Sequence, residues 1–551
     1  MKIKKRSAHI TLPFSWLFGL IASLSLSVDT AAPAFFLYVP AVTLWLYRFP
    51  SSPKTHGVRA FAATSFVTML GFFTGVFHWF FSMYPLTFVG ITSRAVAFFT
   101  VLFCDVGLAA LQSLLLLPIF LLCYAVATRA LYRRHAFLVP VLFSLFYTLG
   151  ELSQELFWFG VPWGTLALSQ VHFLPLLQTA SLFGKAGLTF AVMLTNAAIA
   201  YALLLFVKRS PEERKRHCRN AGVILAATAV FLSTATLTGS ALLHARDGKS
   251  ASGDRESVYV ALIQPDISGL EYQSYTDYEI FTVCAHLVRE AKDAGAEVAV
   301  WTETIFVHAL DRGRMQDNIA GLARELSMPQ YVGAYYEEWE TDGKRHLYNA
   351  LYYFDENGTL SETVYKKRRL VPFGEFVPLA PLVNAVLPSL AAFLRSECFT
   401  QGKEPEIFDT KNGKVGSLLC FDSIYPVLSR DSTLSGAEYL ILPTNDSWFL
   451  GSIALAQHEY HAALRAAENG RYIARCAPTG ISAFIADTGE ILSELPDGAG
   501  FLVGRIEREA EMTLYTLIGN TPVIAAVILA SLAPLLHFGV SCCYKRKKPN
   551  M

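Results

Sequence analysis

The chain has 551 residues, of which 53% are hydrophobic and only 17% are charged, with a formal net charge of +1. This composition is too apolar for an ordinary soluble protein. The long uncharged runs lie within 10–245 and 521–543, whereas 255–515 has the composition of a globular domain. The sequence therefore predicts a membrane protein that carries one large soluble domain.

Eight apolar segments are candidate membrane spans, and several reach the ~20 residues that cross a bilayer. They are 11–28, 33–48, 59–82, 98–127, 136–152, 187–207, 221–243 and 521–543. The second and fifth segments contain Pro40 and Pro140, so for each of them a tilted or re-entrant segment is an alternative to a plain crossing.

Basic residues precede the first span, recur in every second loop and end the chain. They are Lys2, Lys4, Lys5 and Arg6; Arg48, Lys54 and Arg59; Arg129, Arg133 and Arg134; Lys208, Arg209, Arg214, Lys215, Arg216 and Arg219; and Lys545 to Lys548. By the positive-inside rule, both termini are expected in the cytoplasm and the 244–520 domain outside. An alternative is that the first span is a cleaved signal peptide ending near Ala31, Ala32 and Ala34, which would leave the soluble domain on the same side.

The nine cysteines do not predict a disulfide framework. Four of them, Cys284, Cys398, Cys420 and Cys476, fall in the exported domain. They form no Cys-x-x-Cys pair and are too widely spaced for a zinc knuckle. One of them can therefore be a working thiol.

Strands and helices alternate in the soluble domain. The predicted elements are a strand over Val258–Gln264, a helix over 276–294 ended by Gly295, a strand over Val298–Trp301, a helix over 314–326, a strand over Tyr331–Tyr335 and a hairpin-like turn at Asn357–Gly358. Buried strands alternating with helices predict an α/β or α-β-β-α layered domain.

Three residue types stand at or after the ends of strands: Glu303, Lys367 and Cys420. The apolar run that begins at Val415 is predicted to be an inner strand, with Cys420 at its carboxyl end. A thiol attacks only as the thiolate, so it needs a base, and the resulting oxyanion needs a positive or N–H partner. Each residue alone has a structural explanation, as a helix cap, part of a solvated basic run or a small buried hydrophobe. Together they indicate a base, an electrophile and a nucleophile.

Several motifs give the chain a resemblance to the nitrilase superfamily and, within it, to the apolipoprotein N-acyltransferase family. The motifs are Gln264-Pro-Asp-Ile, Trp301-Thr-Glu-Thr304, Tyr348-Asn349, Tyr365-x-Lys367-x-x-Leu-Val-Pro-Phe-Gly-Glu-Phe-Val-Pro378, Cys420-Phe-Asp422, Thr444-Asn-Asp-Ser-Trp-Phe449 and Gly160-Val-Pro-Trp163. Two positions depart from the family pattern: Phe421-Asp422 replaces the usual Tyr-Glu, and Gly519-Asn520 replaces Gly-Asp.

The resemblance implies a polytopic α-helical membrane domain of eight spans plus an exported α/β nitrilase-like α-β-β-α sandwich domain. The expected boundaries are 1–245 for spans one to seven, 246–515 for the catalytic domain, and 516–551 for the last span and its basic tail. The implied roles are general base for Glu303, transition-state stabiliser for Lys367 and nucleophile for Cys420. Supporting roles are implied for Glu375, Asn349 and Asp422.

The implied reaction is a ping-pong acyl transfer. Cys420 takes a fatty acyl chain from a membrane phospholipid as a thioester, and the α-amine of the N-terminal diacylglyceryl-cysteine of a lipoprotein then accepts it. The expected location is the bacterial inner membrane, with the catalytic domain on the periplasmic side. We expect a monomer that needs no cofactor or metal and binds no nucleic acid.

Uncharged aromatic and aliphatic residues near these motifs are candidates for lipid or substrate access: Trp448, Phe449, Leu387 and Trp163. Ordinary packing, or for Trp163 a position in an interfacial aromatic belt, is the alternative. His458 and His461 are three residues apart on a predicted helix, but no third ligand has the spacing for a metal site.

Two other functions fit parts of the pattern. A membrane-tethered amidase would use the same three residues with water as the acceptor. The eight predicted spans argue against it, because an enzyme that acts on a soluble amide needs no large membrane domain. The second alternative is a transporter or scaffold whose soluble domain is a degenerate enzyme. The retention of Glu303, Lys367 and Cys420 argues against it.

Overall fold

The computed structural model describes residues 2–27, 30–48, 56–87, 90–129, 135–207, 211–253, 255–268, 274–310, 313–339, 343–386 and 398–546. The chain divides into two compact units. One comprises Met1–Ala241 and Ile518–Met551, and the other comprises Leu242–Leu517.

The first part of the chain is helical. Its helices are α1 (Lys2–Ser23), α2 (Ala34–Leu37), α3 (Val39–Arg48), α4 (His56–Phe77), α5 (Arg94–Ala127), α6 (Val139–Ser153), α7 (Leu174–Leu177), α8 (Ala180–Val207) and α9 (Pro211–Ser252). Short 3-10 turns, among them Pro162–Gly164 and Leu166–Gln170, connect α6 to α7.

Among the described residues, four helical segments are long and apolar enough to cross a membrane: Gly57–Met83, Arg94–Ala127, Ala180–Leu205 and Cys218–Ser250. Shorter apolar helices cover Leu12–Leu26, Ala34–Arg48, Val139–Ser153 and Thr521–Pro534. The prediction of a membrane region built from apolar helices is confirmed, while the count of eight crossings stays a prediction.

Two acidic residues, one in the last turn of α6 and one just after that helix, have buried partners inside the membrane unit. Glu151 accepts hydrogen bonds from the hydroxyls of Thr165 and Thr189, each at 2.7 Å. Glu155 forms a buried ion pair with Lys185, with 2.6 Å between the charged atoms. Buried charges at membrane depth are costly without such partners, so these contacts hold the 151–189 segment together.

The second unit alternates strands and helices. Its strands are β1 (Ser257–Gln264), β2 (Val298–Val300), β3 (Phe306–Ala309), β4 (Gln330–Trp339), β5 (Arg345–Phe354), β6 (Tyr365–Lys366), β7 (Phe408–Thr410), β8 (Gly413–Ser417), β9 (Tyr439–Pro443), β10 (Ile473–Cys476), β11 (Ser482–Ile485), β12 (Ile491–Leu495) and β13 (Gly500–Glu507). Its helices are α10 (Asp277–Asp293), α11 (Arg314–Leu326), α12 (Ala380–Val386), α13 (Pro426–Leu434), α14 (Ala454–Asn469) and α15 (Leu514–Ile518). The last helix, α16 (Thr521–Arg546), belongs to the first unit.

The strands form two sheets. The first has the order β13-β1-β2-β4-β5-β6, with β3 also paired to β4, and the second has the order β12-β11-β10-β9-β8-β7. The central pairs β1–β2, β2–β4, β8–β9 and β9–β10 are parallel. Parallel neighbours bring the carboxyl ends of their strands to one edge, where reactive groups of α/β proteins gather.

The apolar pattern of β1 explains the layers. Val260 and Leu262 belong to a buried cluster shared with Val415 and Ile441 of the second sheet. Ala261 and Ile263 belong to a separate buried cluster, in which they face α10 and α11. Because side chains alternate along a strand, one strand serves both layers, and the predicted α-β-β-α sandwich is confirmed.

Candidate active site

Glu303 follows β2 in a tightly constrained backbone segment. The next residue, Thr304, has φ +44, and Gly333 of β4 approaches so closely that a Cβ there would lie 2.3 Å from the Thr302 carbonyl oxygen. The N–H of Ile305 donates to the Gly333 carbonyl oxygen at 3.0 Å. A glycine is therefore needed beside the segment that carries Glu303.

Lys367 directly follows the two-residue strand β6, and its backbone N–H donates to the Asn349 carbonyl oxygen at 2.8 Å. Its Nζ lies 2.8 Å from Oε1 of Glu303 and 2.8 Å from Oε1 of Glu375. The neighbouring Lys366 instead pairs with Glu338. Since adjacent strand residues point to opposite faces, only Lys367 reaches the carboxylates.

Asn349 on β5 connects the same two carboxylates. Its Nδ2 donates to Oε1 of Glu303 at 2.8 Å and to Oε1 of Glu375 at 2.9 Å. The other carboxylate oxygen of Glu375 accepts the backbone N–H of Val371 at 2.8 Å. Both glutamates are thus oriented by charged and neutral donors together.

Cys420 opens a 3-10 turn (Cys420–Ile424) three residues beyond the end of β8. Its φ is +46, a left-handed conformation that costs a residue with a Cβ on the order of 1–3 kcal/mol. The backbone N–H of Asn445 donates to its sulfur. The charges of Glu303 and Lys367 both act on the thiol, so the turn holds Cys420 beside these two residues.

Burial controls the protonation of this cluster. It raises the pKa of Glu303, and the charge of Lys367 only partly offsets this effect. Burial alone would lower the pKa of Lys367, but the Glu303 and Glu375 carboxylates outweigh it and hold that pKa well above its usual value. Burial and the Glu303 charge raise the pKa of the Cys420 thiol, so the resting sulfur is protonated and needs a base.

Asp422 supports the turn from within. Its carboxylate accepts the hydroxyl of Tyr365 at 2.8 Å, the N–H of Arg369 at 2.7 Å and the N–H of Leu419 at 3.1 Å. Burial raises its pKa to about 6 despite these donors. Asp422 therefore ties the Cys420 turn to the segment that carries Lys367.

Two family models match the chain. The model described as carbon-nitrogen hydrolase matches residues 259–512, and the apolipoprotein N-acyltransferase N-terminal domain matches residues 18–198. An apolipoprotein N-acyltransferase from Geobacter metallireducens is 31% identical over 387 residues, which are 69% of this chain and 70% of that relative. The chain belongs to the apolipoprotein N-acyltransferase family.

Further relatives extend the similarity along the chain. A family member from Nitrosomonas europaea is 27% identical over 533 residues, which cover 94% of this chain and 97% of its own. Among solved structures, Nit3 of Saccharomyces cerevisiae, a member of the nitrilase superfamily, is 20% identical over 46% of this chain and 92% of its own, with a TM-score of 0.36.

The residues expected at a lipid entrance differ in their exposure to solvent. Trp448 is 38% exposed and Phe449 is half-buried in the 3-10 turn Ser447–Phe449. Leu387 lies outside the described residues. Trp163 is only 2% exposed and packs against Trp79 inside the membrane unit, an interior position that does not fit the access role expected of it.

Sequence reasoning missed a buried network behind the nucleophile. Nδ1 of His458 lies 2.8 Å from Oδ1 of Asp446, and Asp446 is ion-paired with Arg475. These residues are scattered over a loop, a helix and a strand, so no spacing in the sequence signals the network. In the sequence, His458 is considered only as a metal ligand and Asp446 only as part of the 444–449 motif.

Cysteine, aspartate and histidine side chains that lie close together can also bind a metal ion. Within the described residues, Cys420, Asp446 and His458 have potential ligand atoms all within 4.8 Å of one another. Asp446, however, is already bonded to His458, Arg475 and the Thr444 hydroxyl. Because Asp446 already has these partners, the three residues fit a hydrogen-bonded network behind Cys420 better than a metal site.

Proposed function

We propose that this enzyme transfers a fatty acyl chain from a membrane phospholipid, through a thioester on Cys420, to the α-amino group of the N-terminal diacylglyceryl-cysteine of lipoproteins. The observation that carries the proposal is the buried cluster of Glu303, Lys367 and Cys420 in a chain of the apolipoprotein N-acyltransferase family. The cluster supplies a base, a cation and a nucleophile.

In the first half-reaction, Glu303 takes the proton of the Cys420 thiol as the sulfur attacks the carbonyl carbon of the phospholipid ester. The bond between that carbon and the glycerol oxygen then breaks, and the proton passes from Glu303 to the leaving alkoxide. The products are a thioester and a lysophospholipid. The raised pKa of Glu303 suits this double role, because the carboxyl can both accept and return a proton.

In the second half-reaction, the neutral α-amine attacks the thioester carbon. Glu303 accepts the proton of the amine, the carbon–sulfur bond breaks, and the thiolate recovers a proton from Glu303. A thioester is a favourable intermediate because amines attack it readily while an apolar surrounding limits hydrolysis.

Lys367 stabilises the oxyanion that forms in each half-reaction. Its ammonium is pinned by Glu303 and Glu375 at 2.8 Å each, so it is ordered before the substrate arrives. Preorganised donors of this kind are worth about 3–4 kcal/mol of transition-state stabilisation. The N–H of Asn445, already on the sulfur, is a second candidate donor.

Both proposed substrates are lipids, so we expect the active site to be reached from the membrane through an apolar entrance. The alternation of basic loops supports eight spans, an exported catalytic domain and a location in the inner membrane. The proposed domain limits are 1–245, 246–515 and 516–551, and we propose a monomer. Exposed apolar side chains at Trp448, Leu379 and Leu382 are candidates for the contact with acyl chains.

The test uses the purified full-length enzyme in detergent with phospholipid and a synthetic diacylated lipopeptide. The proposal expects the lipopeptide to gain the mass of one acyl chain, in an amount matched by lysophospholipid. Cys420→Ala abolishes the product, whereas Cys398→Ala, which removes an exposed cysteine of the same unit, retains it. Release of free fatty acid with an unchanged lipopeptide would identify a hydrolase and refute the proposal.

A further inference from the structure

The left-handed backbone of Cys420 is held through its own carbonyl oxygen. The hydroxyl of Ser423 donates to that oxygen at 2.8 Å, and Nε2 of His458 lies 3.1 Å from it. Ser423 and His458 also contact each other at 3.0 Å. A strained residue persists only where its surroundings over-determine it, and these contacts provide that restraint.

His458 is fixed in turn from its other ring nitrogen. Nδ1 lies 2.8 Å from Oδ1 of Asp446, whose second oxygen is ion-paired with Arg475 on β10. His458 is 1% exposed, and Asp446 and Arg475 are fully buried. Arg475 and His458 together keep the pKa of Asp446 below its usual range even though burial acts in the opposite direction. The imidazole is thus clamped between a carboxylate and the nucleophile turn.

The same clamp includes the residue that donates to the sulfur. Asn445, whose N–H bonds to the Cys420 sulfur, is the immediate neighbour of Asp446. His458 therefore connects two backbone groups: the carbonyl that sets the Cys420 turn, and the loop that carries the Asn445 N–H. A shift in either group would move the sulfur relative to its donor.

We propose that His458, which no motif of the sequence singled out for catalysis, is a positioning residue that fixes the Cys420 turn against the Asn445 loop, and this rests on the proposed thioester chemistry. Its role is mechanical rather than acid–base, because its ring nitrogens face the Cys420 carbonyl and Asp446. Its loss should slow the chemical step and leave lipid binding unchanged.

Two isosteric variants separate the contacts of His458. The amide of His458→Gln reaches the position of Nε2 and restores the contact with the Cys420 carbonyl. The amide of His458→Asn reaches the position of Nδ1 and restores only the contact with Asp446. If the carbonyl contact positions the thiol, the Gln variant retains more acylation activity than the Asn variant, and His458→Ala retains least.

The experiment is single-turnover acylation of the full-length enzyme in phospholipid–detergent micelles, followed by intact mass. We expect His458→Ala to slow thioester formation about 100-fold, the loss typical of a misplaced reacting group, with KM for phospholipid unchanged. His458→Gln should recover at least about tenfold of that loss. His286→Ala, on an exposed side chain of α10, is the control and should match the wild type.

A second measurement does not depend on lipid substrates. The rate of Cys420 alkylation by iodoacetamide reports the position of the sulfur directly, and thermal unfolding of each variant reports folding. Equal rates of acylation and alkylation in the wild type, Gln and Asn variants would overturn the inference while leaving the proposed function intact. A wild type that forms no thioester would refute both.

Discussion

Nζ of Lys367 donates to Oε1 of Glu303 at 2.8 Å, with the side chains only 2% and 4% exposed. The proposed base and the proposed oxyanion donor are therefore in direct contact before any substrate binds. Their pairing is what permits a carboxylate and an ammonium to stay charged in a buried site.

Lys367→Met should abolish turnover and weaken folding. It removes the cation that lies 2.8 Å from both Glu303 and Glu375, so the buried carboxylate of Glu303 and the partly buried carboxylate of Glu375 lose their shared partner. Breaking a buried pair costs about 3–5 kcal/mol, and loss of an oxyanion donor costs about 100-fold or more in kcat. Acyl transfer and thermal unfolding measure the two effects.

Lys366→Met is the matched control, because Lys366 is one residue away but pairs with Glu338 outside the carboxylate cluster. Its activity should stay near that of the wild type. A comparable loss in both variants would show that a general effect of basic charge, rather than the Lys367 contact, supports activity.

The pH profile of kcat/KM should show an acid limb that is set by the ionisation of Glu303. Because its pKa is raised, protonation removes the base at a pH above the usual range of a glutamate, so kcat/KM falls as the solution is acidified. No alkaline decline from Lys367 is expected up to pH ~9, since its pKa is raised as well. The measurement is kcat/KM across this range in one buffer series.

The same series on Glu303→Gln provides the check on this assignment. The residual activity of that variant should lose the acid limb. A limb that persists unchanged would assign it to another group.

Gly333→Ala should reduce activity about 10- to 100-fold by displacing Glu303. A Cβ at this position would lie 2.3 Å from the Thr302 carbonyl oxygen and 2.9 Å from the Glu303 Cα, so the backbone has to move. Gly321→Ala on α11 meets no atom within 4 Å and should be neutral or stabilising by up to about 1 kcal/mol. Equal activity in the two variants would contradict the account of the Glu303 segment.

Asp422→Ala should destabilise the protein by about 3 kcal/mol or more, because three donors from Tyr365, Leu419 and Arg369 lose their acceptor. The native pKa of about 6 lies above the unfolded value, so the native state binds the proton more tightly. The contribution of Asp422 is therefore fully present below pH ~4 and declines as the pH rises through about 6.

Thermal unfolding at pH 5 and pH 7.5 tests the sign of this effect. The stability difference between wild type and Asp422→Ala should be larger at pH 5. A larger difference at pH 7.5 would contradict it.

Much of the catalytic domain could be predicted because its strands are short buried runs bounded by turn residues. The helix expected over 314–326 is observed as Arg314–Leu326, and the strand expected over Val258–Gln264 as Ser257–Gln264. Periodicity and strand ends also placed Glu303 and Cys420 on the edge where parallel strands finish.

The sequence could not show what the fold alone assembles. The apolar run through Cys420 resembles a continuous strand, yet β8 ends at Ser417 and Cys420 takes a left-handed backbone. Asp446, His458 and Arg475 meet only because α14 packs against β10 and against the Cys420–Ile424 turn. Trp163 was a candidate for lipid or substrate access, but an aromatic segment has the same composition whether it faces lipid or the protein interior.

The central claim is a covalent acyl group on Cys420, and intact mass of the enzyme incubated with phospholipid alone tests it most directly. We predict that the wild type gains the mass of one fatty acyl chain, that peptide mapping places it on Cys420, and that adding a diacylated lipopeptide removes it. Cys420→Ala should gain nothing. An acyl group on another residue, or acyl transfer by Cys420→Ala, would contradict the account.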